Sequence, residues 1–288
     1  MFVLVFLVGL VVGSFLNVII LRYNTGRSLG GRSACFSCQT KLRWYELLPV
    51  VSFLILRGRC KTCRSKISSQ YPLVELLTGI IFTLIYAKIL LIGQYVVNDV
   101  TYASYTTVTW TLVFGTLYNF VISALLIVIV VYDARHKIIP NFFVYSFNVL
   151  SALMLFIDPQ TFRVVKPELF HVLAGPLLFL PFFLLWFISR GRWMGLGDGK
   201  LAWGFGWFLG LTGGIAAIIL GFWIATAVSL TLLFLGKLSR VRTLGNYALF
   251  RNFKNLTMKS EIPFGPFLIV GLWAVFFFGG GIINLLFA

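Results

Sequence analysis

Long apolar runs alternate with short polar segments along the whole chain. The runs fall near residues 2–21, 72–92, 112–132, 142–157, 170–189, 193–211, 215–236 and 264–287. A helix needs about 20 such residues to cross roughly 30 Å of hydrocarbon, and most of the runs reach that length. The pattern predicts an all-α integral membrane protein with about eight transmembrane helices. The 142–157 run is short, and Thr212-Gly213-Gly214 predicts a tight turn between the sixth and seventh. A cleaved signal peptide is the competing reading of the first run. Gly13, Ser14 and Asn17 interrupt it, no small-residue cleavage site follows, and Arg22 stands on its C-terminal side, so an uncleaved span is expected.

Composition agrees with lipid as the solvent. Of 288 residues, 59% are hydrophobic and 11% charged, against about 45–50% and about 25% in ordinary soluble domains. A net charge of +16 raises the question of nucleic acid, and its placement answers it. Of the 24 Lys and Arg, 21 lie in four patches between apolar runs: ten from Arg22 to Lys66, then Arg135 and Lys137, then Arg190, Arg192 and Lys200, and six from Lys237 to Lys259. Positive charge resists translocation, so these patches are expected in the cytosol. Anionic lipid headgroups, not nucleic acid, are the expected partner of that charge. Eight spans make the patches alternate with charge-poor loops and put both termini outside.

Three segments follow: a first span at 1–21, a basic cytosolic loop at 22–71, and a polytopic remainder at 72–288. A second basic loop, 237–263, carries no metal or nucleotide motif and reads as a connector. The first loop holds all four cysteines, as Cys35-Phe-Ser-Cys38 and, after 21 residues, Cys60-Lys-Thr-Cys63. Two such pairs can supply a tetrahedral, structural zinc site with no open position. The glycine that often follows each pair is replaced by Gln39 and Arg64. Unliganded or redox-active thiols and two disulfides are the competing readings, the latter disfavoured in a cytosolic loop. Zinc would staple a loop with too little core of its own.

The eight acidic residues are few enough to weigh singly. Asp99, Asp158 and Glu168 fall in predicted external loops; Glu46 lies in the cysteine loop, Glu75 one turn into the second span, and Glu261 before the last. Asp133 closes the third span in Tyr132-Asp133-Ala-Arg-His136-Lys137-Ile-Ile-Pro140-Asn141. Asp198 lies in Gly195-Leu196-Gly197-Asp198-Gly199-Lys200, on a helix expected to begin near Trp193. Both are expected at the cytosolic membrane boundary, where ionised carboxylates are expensive. Two carboxylates sharing a proton could supply the acid and base of aspartic proteolysis. Separate interfacial aspartates, each paired with Lys137, Arg135 or Lys200, are the plainer reading.

Taken in order, Gly13-Ser14-Phe15-Leu16-Asn17-Val18, the cysteine quartet, Trp44-Tyr45-Glu46 through Pro49, Arg57-Gly58-Arg59-Cys60, Tyr71-Pro72-Leu73-Val74-Glu75, Asp133 to Ile139-Pro140, Gly195-Leu196-Gly197-Asp198 and Ile262-Pro263-Phe264-Gly265-Pro266 resemble the bacterial type IV prepilin peptidases. The resemblance implies an aspartic endopeptidase of the bacterial inner membrane. Asp133 and Asp198 would be its catalytic pair, and Cys35, Cys38, Cys60 and Cys63 its zinc ligands. It would cleave the basic leaders of prepilin or pseudopilin precursors after a glycine, on the cytosolic face. Members of that family often also N-methylate the new terminus, which would bring in S-adenosylmethionine, though no glycine-rich turn marks a site for it. Asn141 stands where an acid usually follows Ile-Pro, and Gly199 where Val is common. Two other classes share part of the pattern: presenilin-like intramembrane aspartyl proteases, and ion-coupled transporters with interfacial aspartates.

Overall fold

A computed structural model describes residues 1–26, 28, 30–99, 105–157, 164–239 and 262–287. Most of the 237–263 loop, including Glu261, lies outside them, as do Asp158 and Arg163. Among the described residues every regular element is helical: α1 Phe2–Arg22, a 3-10 turn Trp44–Leu47, α2 Val51–Ile55, α3 Gln70–Asp99, α4 Tyr105–His136, α5 Asn141–Met154, α6 Leu169–Ser189, α7 Leu196–Ser239 and α8 Gly265–Phe287. Among the described residues five stretches are long and apolar enough to cross a membrane: Phe2–Arg22, Gln70–Leu91, Leu112–His136, Leu169–Ser189 and Leu196–Leu235. The protein is therefore a multi-pass membrane protein. The chain packs as two compact units, Met1–Val131 with Phe156–Lys166, and Tyr132–Leu155 with Pro167–Ala288.

In the first unit, α1 and α3 meet on small residues. Gly9 and Gly13 are four apart and share a helix face. A Cβ on Gly9 would come within 2.7 Å of the Gly79 Cα, and one on Gly13 within 2.7 Å of the Glu75 Cα. Such backbone approach supplies the dispersion contact that pairs helices in lipid, where no hydrophobic drive acts between them. Beside this contact the buried Asn17 donates from Nδ2 to the carbonyls of Tyr71 (3.1 Å) and Gly13 (3.3 Å). Glu75, also buried, accepts the Val50 N–H at 2.7 Å and so ties the cysteine-bearing loop to α3.

In the second unit, α7 is broken at Gly210 (φ 75°, ψ 177°). Gly206 and Gly214 would stand about 12 Å apart on a straight helix, yet a Cβ on Gly214 would lie 3.5 Å from the Gly206 nitrogen. The chain doubles back there, giving two antiparallel arms. The break falls at Gly210, two residues before the Thr212-Gly213-Gly214 turn expected from the sequence. The first arm packs on α6, where Gly206 meets the Ala174 carbonyl and Trp207 donates to the Val172 carbonyl at 2.9 Å. The second packs on α8, where Gly221 admits Leu268 and Gly271 admits Ala217. On the first arm, Gly204 makes room for Phe147 and Asn148 of α5, and Asn148 donates to the Lys200 carbonyl at 3.0 Å.

Candidate functional site

The cysteine loop is built from two copies of one turn. Cys35 N–H donates to the Thr40 carbonyl at 3.0 Å, and Cys60 N–H to that of Ser65 at 2.9 Å. The N–H groups of Gln39 and Arg64 return to the carbonyls of Cys35 and Cys60, both at 3.0 Å. Isolated bridges Ala34–Lys41 and Arg59–Lys66 close the two turns alike. Gln39 (φ 56°) and Arg64 (φ 57°) both hold the left-handed conformation that glycine adopts without strain. The missing glycines are thus explained: the turn keeps its shape and larger residues bear the strain.

The two turns bring the four Sγ atoms within 4.8 Å of one another, with Cys35–Cys63 at 3.8 Å and Cys38–Cys60 at 4.0 Å. A disulfide would need about 2.05 Å. Tetrahedral Zn–S bonds of about 2.3 Å separate sulfurs by about 3.8 Å, so the quartet fits a closed four-thiolate metal site. Electrostatics favour the thiolate at two of the four sulfurs, while burial and the neighbouring thiols push the Cys60 thiol up. Backbone N–H groups of Cys38 and Ser37 bring the Cys35 thiol down to about 6, and the Ser65 hydroxyl lowers that of Cys63.

The two aspartates come together in the second unit. Asp133 sits in the last turn of α4, whose end is set by Lys137 in the left-handed conformation (φ 56°), its N–H bonded to the Asp133 carbonyl at 2.7 Å. Two residues on, Ile139 leads into Pro140, the N-cap of α5. Asp198 lies in the first turn of α7. That helix begins at Leu196, not near Trp193. The reason is the end of α6, where Arg190 (φ 51°) and Gly191 (φ 77°) reverse the chain and use up the intervening residues. Asp133 and Asp198 are both buried, 4% and 9% exposed, and the charge of Asp133 reaches Asp198.

Ile139 packs against a glycine beside each of them. A Cβ on Gly197 would lie 3.0 Å from the Ile139 Cβ, and one on Gly265 3.2 Å from its Cδ1. Gly265 opens α8, and its N–H donates to Asp133 Oδ2 at 3.1 Å. The helix thus turns its positive end toward that carboxylate. Sequence reasoning gave Gly265 no role. Its signals were a place in the Ile262-to-Pro266 segment of the resemblance and a glycine next to Pro266 at the start of the last apolar run, the pattern of a helix N-terminus. Lys200, offered above as a counter-ion for the aspartates, is engaged elsewhere. Its Nζ donates to Asn141 Oδ1 at 2.9 Å and lies 5.1 Å over the Tyr145 ring.

The chain is similar to known proteins along most of its length. Residues 7–89 match the bacterial peptidase A24 N-terminal domain, and residues 120–230 the type IV leader peptidase family. A prepilin leader peptidase/N-methyltransferase of Myxococcus xanthus is 52% identical over 28% of this chain, an alignment taking in 24% of that protein. A type 4 prepilin-like protein leader peptide-processing enzyme of Escherichia coli is 42% identical over 26% of the chain and 35% of its own length. A prepilin leader peptidase/N-methyltransferase of Xanthomonas campestris is 28% identical over 96% of the chain and 91% of its own length. No solved structure matches the chain. Two family models in register, one over the cysteine loop and α1–α3 and the other over both aspartates, place this chain in the type IV leader peptidase family.

Proposed function

We propose that this protein is an aspartic endopeptidase of the bacterial inner membrane that removes the basic leader of prepilin or pseudopilin precursors, with Asp133 and Asp198 as its catalytic pair. The observation that carries the reading is the burial of both carboxylates in one unit, lined by Gly197, Ile139 and Gly265. Glycines flank Asp198 on both sides and let Ile139 and Phe182 pack close against the turn that carries it, which holds the carboxylate in place. One carboxyl, ionised, takes a proton from water as the oxygen attacks the scissile carbonyl. The other, protonated, polarises that carbonyl and yields its proton as the tetrahedral adduct forms. Collapse breaks the C–N bond, and the amine leaves with the proton first taken from water. The Gly265 N–H occupies Oδ2 of Asp133, which leaves Oδ1 for the shared proton.

Cys35, Cys38, Cys60 and Cys63 would hold a structural zinc ion, which closes the loop and offers no open coordination position. The relatives' names couple the peptidase to N-methyltransfer, and we extend that second activity to this chain, with S-adenosylmethionine supplying the methyl group. The leading test is cleavage of a purified precursor carrying a basic leader, a glycine and an apolar helix. Asp133→Asn and Asp198→Asn should each lose roughly 10³-fold or more of the rate, because members of a catalytic pair act as a unit. Both variants should still insert and purify. Substantial cleavage by either one removes the assignment.

A further inference from the structure

Between α1 and α3 the first unit carries an apolar ridge that no span accounts for. Trp44 is 77% exposed, Leu54 68% and Ile55 75%, with Leu47, Leu48 and Val51 each above 40%. On α1 or α3 such exposure faces lipid. Here it belongs to a 3-10 turn and a five-residue helix, in a segment with ten basic residues and one acidic one between Arg22 and Tyr71. Contiguous exposed apolar surface marks something that covers it.

The depth of this ridge is fixed by one hydrogen bond. Val50 lies in its middle, and its N–H donates to Glu75 Oε2 at 2.7 Å. Glu75 is the sixth residue of α3, about 8 Å along the helix from its first residue. The ridge therefore sits beside the opening turns of a membrane span instead of standing off in water. Val50 is held at φ 60°, ψ −48°, unfavourable for a β-branched residue and retained only where the surroundings fix it. The loop's own interior is served by other side chains: Phe53 packs on Gly58, while Leu54 and Ile55 point away.

We propose that residues 44–55 form an interfacial anchor seated at the headgroup–acyl boundary of an anionic leaflet. Trp, Leu and Ile at that depth, bracketed by exposed Arg43, Arg57 and Arg59, match the chemistry of interfacial segments: apolar side chains in the acyl margin, guanidinium groups among lipid phosphates. The one acid of the loop does not oppose this charge, since the Glu46 carboxylate turns back to accept the Arg43 N–H at 2.7 Å. The seat would hold the cysteine loop at a set height on the membrane.

Full-length protein in nanodiscs, with a fluorescent amino acid in place of Ile55, tests this directly. A second protein with the probe at Leu7, a lipid-facing position of α1, gives the lipid reference, and the free probe gives the aqueous one. Lipids brominated near the acyl carbonyl should quench position 55 several-fold more than aqueous iodide does. Raising phosphatidylglycerol from none to about a third of the lipid should strengthen that quenching at 55 and leave position 7 unchanged. Iodide access equal to that of the free probe overturns the proposal. Shielding from both quenchers also overturns it, because a protein then covers the ridge.

Discussion

Gln39 and Arg64 each hold a left-handed backbone in the tightest part of a cysteine turn, at φ 56° and 57°. For a residue with a Cβ this costs about 1 kcal/mol, which glycine would avoid. Gln39→Gly and Arg64→Gly should therefore each stabilise the folded loop by up to about 1 kcal/mol, less whatever glycine's freer unfolded chain takes back. The readout is metal retention: purified protein should carry about one zinc per chain, and either variant should release it to a chelator at the same rate or more slowly. Cys35→Ser with Cys60→Ser should lose the metal. A wild-type zinc content near zero, or faster release from the glycine variants, contradicts the reading. Gly265 makes the reverse argument. A Cβ there would lie 2.7 Å from Asp133 Oδ2, so Gly265→Ala must displace either the carboxylate or the start of α8. We expect a drop of ten-fold or more in kcat for precursor cleavage, with expression and zinc content unchanged. Near wild-type kcat would show that Asp133 does not depend on this approach. These residues also mark the limit of what the sequence discloses. Cysteines and aspartates announce themselves by side-chain chemistry and spacing, whereas a backbone N–H has no letter, and only the fold brought that of Gly265 to Asp133 from 132 positions away.

At the scale of elements, the apolar runs and the helices agree closely, because in lipid every backbone polar group must be satisfied within its own segment. Agreement fails where glycine has two uses. Gly213 and Gly214 read as turn formers, but the positive φ falls at Gly210. Gly213 and Gly214 are small so that Leu209, Leu178 and the Gly206 backbone can come close. Gly199 belongs with them: its Cβ would lie 2.9 Å from the Phe182 Cβ, which accounts for a glycine where a valine is common among prepilin peptidases. The same logic gives a prediction for α1. Gly13→Leu would drive a branched side chain into the Glu75 backbone and Thr78. Overpacking of this kind typically costs 1–3 kcal/mol, so the variant should unfold several degrees lower in detergent. Leu7→Ala, at an exposed position on the same helix, should leave the unfolding temperature within about a degree. Equal melting of the two proteins would mean that α1 and α3 do not meet on this face.

For the whole molecule, the controlling quantity is the side of the membrane on which each loop lies. Two short helical pieces stand beside each other in the second unit: α5 and the first arm of α7, each of 14 residues and about 21 Å. Hydrocarbon is about 30 Å thick, so a bilayer next to them must thin or admit water. Asp133 stands at the end of α4 that leads into α5, and Asp198 in the first turn of α7, so both carboxylates border these short pieces. The proposed peptidase acts on a leader that positive charge keeps in the cytosol, and that proposal requires both aspartates to open to that side. The hairpin at Gly210 makes this consistent with the charge pattern. If α7 is two arms, the basic patches at 22–71, 133–141, 190–200 and 237–263 all return to one side, and the charge-poor loops all reach the other. If it crossed once, the fourth patch would be translocated against its six positive charges. Reporter fusions or thiol labelling should therefore place positions 38, 137 and 245 in the cytosol and positions 99 and 163 outside. A cytosolic signal at 38 and 137 with an external one at 245 would make α7 a single crossing. An external signal at 137 would put Asp133 on the wrong side of the membrane from its substrate's leader, and the peptidase proposed for this pair could not operate.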